Sequence, residues 1–327
     1  VSYASDGQTD QVFTYFGFRD VCTRDGKTLL NHRPIYQRLI LHQGYYDGGL
    51  LTADTDERYR TDLQTIKDMG FNGVRMHQKI EDPLFYYWAD KIGLLVWGEL
   101  PSCYEFSELA MRRSFESMRE FIQRDYNHPS IVCWVPLNES WGVRNIEQNA
   151  AQQRYAVSLY HFIKAMDATR WVSTNDGWEQ VTTDFCTLHD YSFDGKALSS
   201  RWDDLDALLQ SAAQDRMIFA SGYQYTGQPI LLTEFGGVAF KTNQSEKDWG
   251  YCAIEKNEAS YIRRLTSLFS YIKANRRIQG YCYTQFTDVM QETNGLLSIR
   301  REPKIAIDAI RAILFGTDDS KPISPVP

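Results

Sequence analysis

Eight short apolar runs recur along the chain, and most are followed by an amphipathic stretch of helix length. The runs are 38–42 (RLILH), 72–77 (NGVRMH), 94–99 (LLVWGE), 132–139 (VCWVPLNE), 171–176 (WVSTND), 186–191 (CTLHDY), 230–235 (ILLTEF) and 280–286 (GYCYTQF). A strand that is apolar at successive positions must be covered on both faces. A parallel sheet flanked by helices meets that need. Eight such units predict an α/β fold of the (β/α)8 TIM-barrel type, for which roughly 250 residues is typical. An open doubly wound sheet is the alternative, but no GxGxxG follows the first run.

The connecting stretches carry their own punctuation. Gly70 ends a helical pattern, and Asp82-Pro83 supplies an N-cap and first-turn proline for the next. Further helices are expected over 107–126, 148–166 and 304–314, with a weaker signal after the sixth run. In the segment from Asn257 to Asn275, Tyr261, Leu265, Leu268, Phe269 and Ile272 fall on one helical face. The expected division is a polar linker and short hairpin over 1–37, turning at Asp25-Gly26, a catalytic barrel over 38–315, and a disordered tail over 316–327. Gly26-Lys27-Thr28 has Val21 where a phosphate loop needs glycine, so a turn is expected there. The chain begins with Val in what reads as mid-protein sequence, and the expectation is a processed chain or a piece of a longer one.

Net charge is −7, with an isoelectric point near 5.5, which argues against a nucleic-acid groove or an anionic membrane surface as partner. No apolar run reaches membrane-spanning length. The six cysteines are scattered without metal-like spacing, and Cys133 and Cys282 sit in apolar runs, which favours a reducing, cytoplasmic setting. Aromatic residues make up 14% of the chain; they serve either as core filling or as platforms for flat ligands such as sugar rings.

In a barrel of this kind, chemistry sits at the C-terminal ends of the strands. Read in order, those ends carry His42, Arg75 and His77, Glu99, Asn138-Glu139, Asn175-Asp176, His189-Asp190-Tyr191, Glu234, and Gln285 with Asp288. A polar group at the same end of every strand is more than packing requires. Glu139 and Glu234 each end a strongly apolar run, and glycoside hydrolysis needs such a pair. One acts as proton donor and the other as nucleophile or base; a gap of roughly 5–5.5 Å between them signals retention of configuration. On this reading Arg75 keeps Glu234 ionised, while partial burial beside Glu234 lets Glu139 hold a proton. Asn138 would bond a sugar hydroxyl, and Trp141, Trp178 and Tyr191 would stack on sugar or orient the nucleophile, with plain packing an equal alternative. No HExxH or GxSxG element is present, and His128 is expected to be structural.

The same residues carry a resemblance. RDYNHPSIVCWVPLNESWG (124–142) resembles the acid/base signature of glycoside hydrolase family 2, which comprises β-galactosidases, β-glucuronidases and β-mannosidases. GFNGVRMHQKIEDPLFYYWADKIGLLVWGELP (70–101) is similar to the second and third barrel strands of that family, and PILLTEFGG (229–237) to its nucleophile strand. The resemblance implies Glu139 as acid/base, Glu234 as nucleophile, Asn138 as sugar ligand, His42 and Arg75 as pocket residues, and Tyr191 as the nucleophile's partner. His189 is placed among the substrate-binding candidates. Family members carry jelly-roll and immunoglobulin-like domains before the barrel, which are expected in the full-length chain; an oligomer is left open.

Departures from the family pattern bear on the sugar. Gln78 and Gly237 stand where β-galactosidases carry histidine, and Thr284 stands where a stacking Trp is expected, leaving Gln285 as the polar contact. No counterpart of a magnesium-binding carboxylate and histidine follows Glu99, so neither metal nor cofactor is expected. ETNGLLSIRREPK lacks the Asn-x-Lys element that reads a carboxylate in β-glucuronidases. The expectation is a retaining exo-β-glycosidase of β-galactosidase type acting on a carbohydrate substrate. β-Glucuronidase-like or β-mannosidase-like specificity and a non-catalytic sugar-binding barrel are the alternatives.

Overall fold

The structure is a computed structural model that describes residues 2–210, 212–213, 216–241, 247–252 and 254–316; beyond Gly316 the expected tail lies outside the described residues. Eight parallel strands form the barrel: β1 (Gln37–His42), β2 (Gly73–Met76), β3 (Leu95–Glu99), β4 (Ile131–Val135), β5 (Trp171–Val172), β6 (Cys186–Asp190), β7 (Ile230–Gly236) and β8 (Ile278–Thr284). They pair in the order β5-β4-β3-β2-β1-β8-β7-β6, a curled sheet in which sequence neighbours are spatial neighbours. Side chains span the seam between β5 and β6. The Gln180 amide donates to the Thr187 carbonyl at 2.6 Å and accepts from the Thr187 N–H at 3.2 Å, standing in for a ladder that the two-residue β5 is too short to supply.

The helices are α1 (Asp56–Asp68), α2 (Pro83–Ile92), α3 (Glu108–Asp125), α4 (Ala150–Met166), α5 (Gly195–Trp202), α6 (Leu205–Gln210), α7 (Glu258–Ala274) and α8 (Ile307–Phe315). A helix follows each strand except β5, which a loop joins to β6, and two short helices follow β6. The weak signal there has a local cause: GKALSSRW holds one Gly and two Ser, poor helix formers that leave α5 only eight residues. Asp82 caps α2 by accepting from the Leu84 N–H, and Gly93, in the left-handed region, closes it. Ser107 caps α3 in the same way. The five apolar α7 residues predicted to share a face are all buried.

Strand alternation divides the core. Ile40, Val74, Val96 and Leu232 face outward into the helix layer, while Leu39, Leu41, Leu95, Trp97, Leu231 and Cys282 point into the barrel. Each such side chain taken fully from water stabilises the fold by roughly 1.5–3 kcal/mol before entropy is counted. Inside, Trp97 stacks on Phe185 at 5.2 Å, and its indole N–H donates to Gln37. At the N-terminal end of the chain, an exposed hairpin (Ser2–Ser5 with Gln8–Gln11) precedes a second one, whose Asp25-Gly26 turn joins Val21–Arg24 to Lys27–Leu30. Leu30 of that second hairpin packs on the apolar barrel interior. No helix among the described residues is long and apolar enough to cross a membrane.

Candidate active site

At the C-terminal ends of the strands the inward side chains change from apolar to charged. On β2, Arg75 follows Gly73 on the inner face and is fully buried. Its Nε donates to Glu99, the end of β3; one Nη donates to Glu234 at 2.9 Å and lies 2.9 Å from Asp176; the other donates to Asn138 at 2.6 Å. One guanidinium thus links the ends of β2, β3 and β7 with the extensions of β4 and β5. Its planar fork of donors suits that task, and three carboxylates hold it firmly charged despite burial.

Glu234 reaches the site through a bulge. Leu231 points in and Leu232 points out, so strict alternation would turn Glu234 outward. Opposite β6, however, Leu188 pairs with Leu232 and His189 with Glu234, leaving Thr233 as an extra residue. The bulge resets the alternation, so that Phe235 faces the helix layer and Glu234 faces Arg75. Glu139 arrives by another device. Pro136 interrupts β4, the Leu137–Asn138 extension pairs with Asn175–Asp176, and Glu139 and Ser140 then take left-handed φ values of +51° and +56°. Non-glycine residues held there cost of order 1–3 kcal/mol each, and such strain collects at functional sites. The Glu139 N–H to Asp176 carbonyl bond and the Ser140 N–H to Asn175 side-chain bond hold the turn.

His189 stands between the two acids. Its Nδ1 lies 2.7 Å from Glu139 and 3.6 Å from Glu234, and its Nε2 lies 2.9 Å from Asp176. Burial alone would keep the ring neutral, but Glu234, Asp176 and Glu139 together raise its pKa to about 10. Both nitrogens therefore carry protons at neutral pH, and His189 donates to Glu139 and Asp176. Glu234 shows the converse: burial would raise its pKa, but His189, Arg75 and His77 and the Tyr191 hydroxyl hold it below its ordinary value. Asp176 is likewise held low by Arg75, His189 and Ser173 against its burial. Tyr191 donates to Glu234 at 2.6 Å and accepts from the Thr284 hydroxyl at 3.1 Å, and its ring stacks on Tyr251.

Glu139 and Glu234 line a cavity of about 560 Å³ together with Gln43, His77, Gln78, Tyr104, Trp141, Tyr251 and Glu292, among others. Trp141 lies at its edge, with the Arg144 guanidinium 3.6 Å over its ring. Of the other residues picked out in the sequence, Asn138 and His189 are buried one layer beneath the cavity, and Trp178 packs edge-on to His189. Gln285 donates to Glu292 and Asn294 and accepts from Gln43. His42 stands apart. Its ring packs against Phe85 and Phe286, its Nδ1 accepts from the Gly44 N–H, and burial depresses its pKa despite Asp62 at 3.6 Å.

Gln43, Tyr104, Tyr251 and Glu292 are among the cavity residues not singled out in the sequence. Gln43 follows directly on β1, so proximity to a strand end was its signal. Tyr251 and Glu292 sit on loops after β7 and β8, where no periodicity marks the inward residue. Glu139, His189 and Glu234 each offer one atom within 4.8 Å of the others, a donor set of the kind that holds a divalent cation. Those groups are already engaged by Arg75, Tyr191, Asp176 and one another.

Residues 21–313 match the model of the glycosyl hydrolases family 2 TIM barrel domain. A β-galactosidase of Thermoanaerobacterium thermosulfurigenes is 33% identical over 267 residues, 78% of this chain and 33% of its own length. A putative β-glucuronidase of Formosa agariphila is 34% identical over 137 residues, 41% of this chain and 16% of its own. The chain thus spans a third or less of the length of these curated relatives. Among solved structures, a galacturonate-bound β-galacturonidase of Eisenbergiella tayi superposes with a TM-score of 0.72 at 21% identity, covering 91% of this chain and 55% of its own. A Parabacteroides merdae β-glucuronidase superposes at 0.77 with 18% identity, covering 97% and 41%. These two share the fold. With the family model matched over nearly the whole described chain, the protein belongs to glycosyl hydrolase family 2, and this part of it is the family's TIM barrel.

Proposed function

We propose that the chain is the catalytic barrel of a retaining exo-β-glycosidase of β-galactosidase type. The observation that carries this reading is the contrast between two neighbouring acids. Glu234 is buried, ion-paired and held ionised, as a nucleophile must be; Glu139 keeps 23% of its side chain exposed toward the same cavity, where a leaving oxygen would sit. Oxygens of the two lie within 4.8 Å, which suits direct attack; inverting enzymes keep roughly 6.5–9.5 Å to admit a water.

In the first step the Glu234 carboxylate attacks the anomeric carbon while Glu139 passes a proton to the departing oxygen. In the second, Glu139 takes a proton from water, which displaces Glu234 and releases the sugar. Arg75 and Tyr191 orient the nucleophile, and their hydrogen bonds leave its charge available for attack. His189 donates from Nδ1 to Glu139 at 2.7 Å and so orients that acid toward the cavity. Trp141 and Tyr104 provide aromatic faces for the leaving group.

The six free cysteines fit a reducing, cytoplasmic setting. Phe13, Phe16 and Phe18 are largely exposed, a surface suited to cover by neighbouring domains of a longer chain. The test of the chemistry is a pair of aryl β-glycosides with good and poor leaving groups. Glu139→Gln should lose most activity on the poor leaving group and far less on the good one, whereas Glu234→Gln should lose both. Equal loss on both substrates in Glu139→Gln contradicts its role as proton donor.

A further inference from the structure

The cavity carries a third acid. Glu292, on the loop after β8, is 8% exposed and lines the same space as Glu139 and Glu234. Its carboxylate accepts from three amides: Gln285 at 2.9 Å, Asn294 at 3.1 Å and Gln43 at 3.5 Å. Gln285 also bonds Asn294 at 2.6 Å and Gln43 at 2.8 Å, so the four side chains form one connected polar wall. The loop is pinned from behind: Asp288 pairs with Lys304 and accepts from the Gly295 N–H, and the Glu292 backbone pairs with Val289.

The charge balance of the wall is what matters. Among the described lining residues there is no lysine or arginine, and the one that can carry positive charge, His77, is bonded to Glu99 at 3.0 Å. Arg75 is spent on Glu99, Asp176 and Glu234 beneath the floor. A ligand carboxylate entering here would lose its water and face three acids with no lysine or arginine among the lining residues; the Arg144 guanidinium at the edge is stacked on the Trp141 ring. Neutral hydroxyls suit the same wall better, because they can donate to the Glu292 carboxylate, whose oxygens are acceptors only when ionised.

We propose that Glu292 is the specificity-determining residue of this site, bonding hydroxyls of a neutral sugar and excluding a sugar that carries a carboxylate. The proposal rests on the glycosidase reading above and sets this chain apart from the uronic-acid enzymes whose barrels it resembles in fold. Rejection of the wrong ligand comes from repulsion and an uncompensated desolvated charge, the device by which binding sites discriminate against a close analogue. Burial raises the Glu292 pKa, and Glu234 adds to the rise, so protonation of the wall weakens this discrimination as pH falls.

The experiment uses the full-length protein with two matched pairs of 4-nitrophenyl substrates, β-galactoside with β-galacturonide and β-glucoside with β-glucuronide. Members of each pair differ only in bearing a hydroxymethyl or a carboxylate. In whichever pair is turned over, kcat/KM for the neutral sugar should exceed that for the uronide at least about 100-fold. Glu292→Gln should narrow the ratio about tenfold or more, and Glu292→Asp, which keeps the charge, should hold it. A wild-type preference for the uronide overturns the proposal without any variant, as does an unchanged ratio in Glu292→Gln. Failure of the wild type to cleave any of the four removes the glycosidase reading together with this one. Cleavage that persists in Glu234→Gln sinks the mechanism, whatever the ratio.

Discussion

The two layers of the barrel interior are built from the same strands by opposite means. On β3, Trp97 packs against Phe185 in a dry apolar layer, and two residues on, Glu99 is buried against Arg75 and His77. On β7, Leu231 belongs to the first layer and Glu234 to the second. The lower layer gains from burial and dispersion, which tolerate changes of shape. The upper layer buries three carboxylates around one guanidinium, an arrangement that is stable only while every partner is present. The lower layer holds the barrel together, and the upper layer holds charges where a sugar can meet them.

Substitutions in the two layers should therefore fail differently. The largest effect is expected for Glu234→Gln, which removes the nucleophile: kcat on aryl glycosides should drop by at least about 10⁴-fold. Glu139→Gln should cost about 10²–10⁴-fold on substrates that need protonation. Trp97→Ala, in the apolar layer, should cost about 3–5 kcal/mol of stability in urea unfolding, while folded material keeps its kcat/KM to within a few-fold. Arg75→Met should cost a similar amount of stability, about 3–5 kcal/mol, because it strands buried carboxylates, and should lose activity as well. If Arg75→Met were as stable as wild type, the ion network would not be what organises the upper layer.

The effect that depends on pH is the most diagnostic. The His189 pKa rises from 6.5 to about 10 on folding, so its contribution is fully present below pH 6.5 and is lost as pH rises through 10. Glu234 and Asp176 have lowered values, so their contribution is present above their ordinary values of 4.5 and 3.8 and is lost as pH falls below them. The difference in unfolding free energy between wild type and His189→Asn should therefore be greatest near pH 5–6 and shrink toward pH 10. A flat difference across that range would mean that His189 is not held protonated between its acids.

The sequence made the lower layer and the order of elements legible, because continuous apolar runs and helix caps such as Asp82-Pro83 are local signals. It also marked Glu139, Glu234, Arg75 and Tyr191 by their place at strand ends. What it could not show was direction. The Thr233 bulge and the left-handed turn at Glu139 set where those carboxylates aim, and neither has a period or composition of its own. His42 shows the same gap in reverse: it ends β1 as a site residue would, yet its ring faces Phe85 and Phe286. Glu292 was hidden for a different reason, since its position depends on a loop folded back over β8 by Asp288 and Lys304.

The most direct measurement is to trap the covalent intermediate. A 2-deoxy-2-fluoro aryl glycoside slows the second step more than the first, and mass spectrometry of the digested protein then locates the bound sugar. The expected result is one sugar ester on the peptide bearing Glu234, formed in wild type and absent in Glu234→Gln. A sugar found on Glu139, or a first-formed product of inverted configuration, would contradict the division of labour between the two acids.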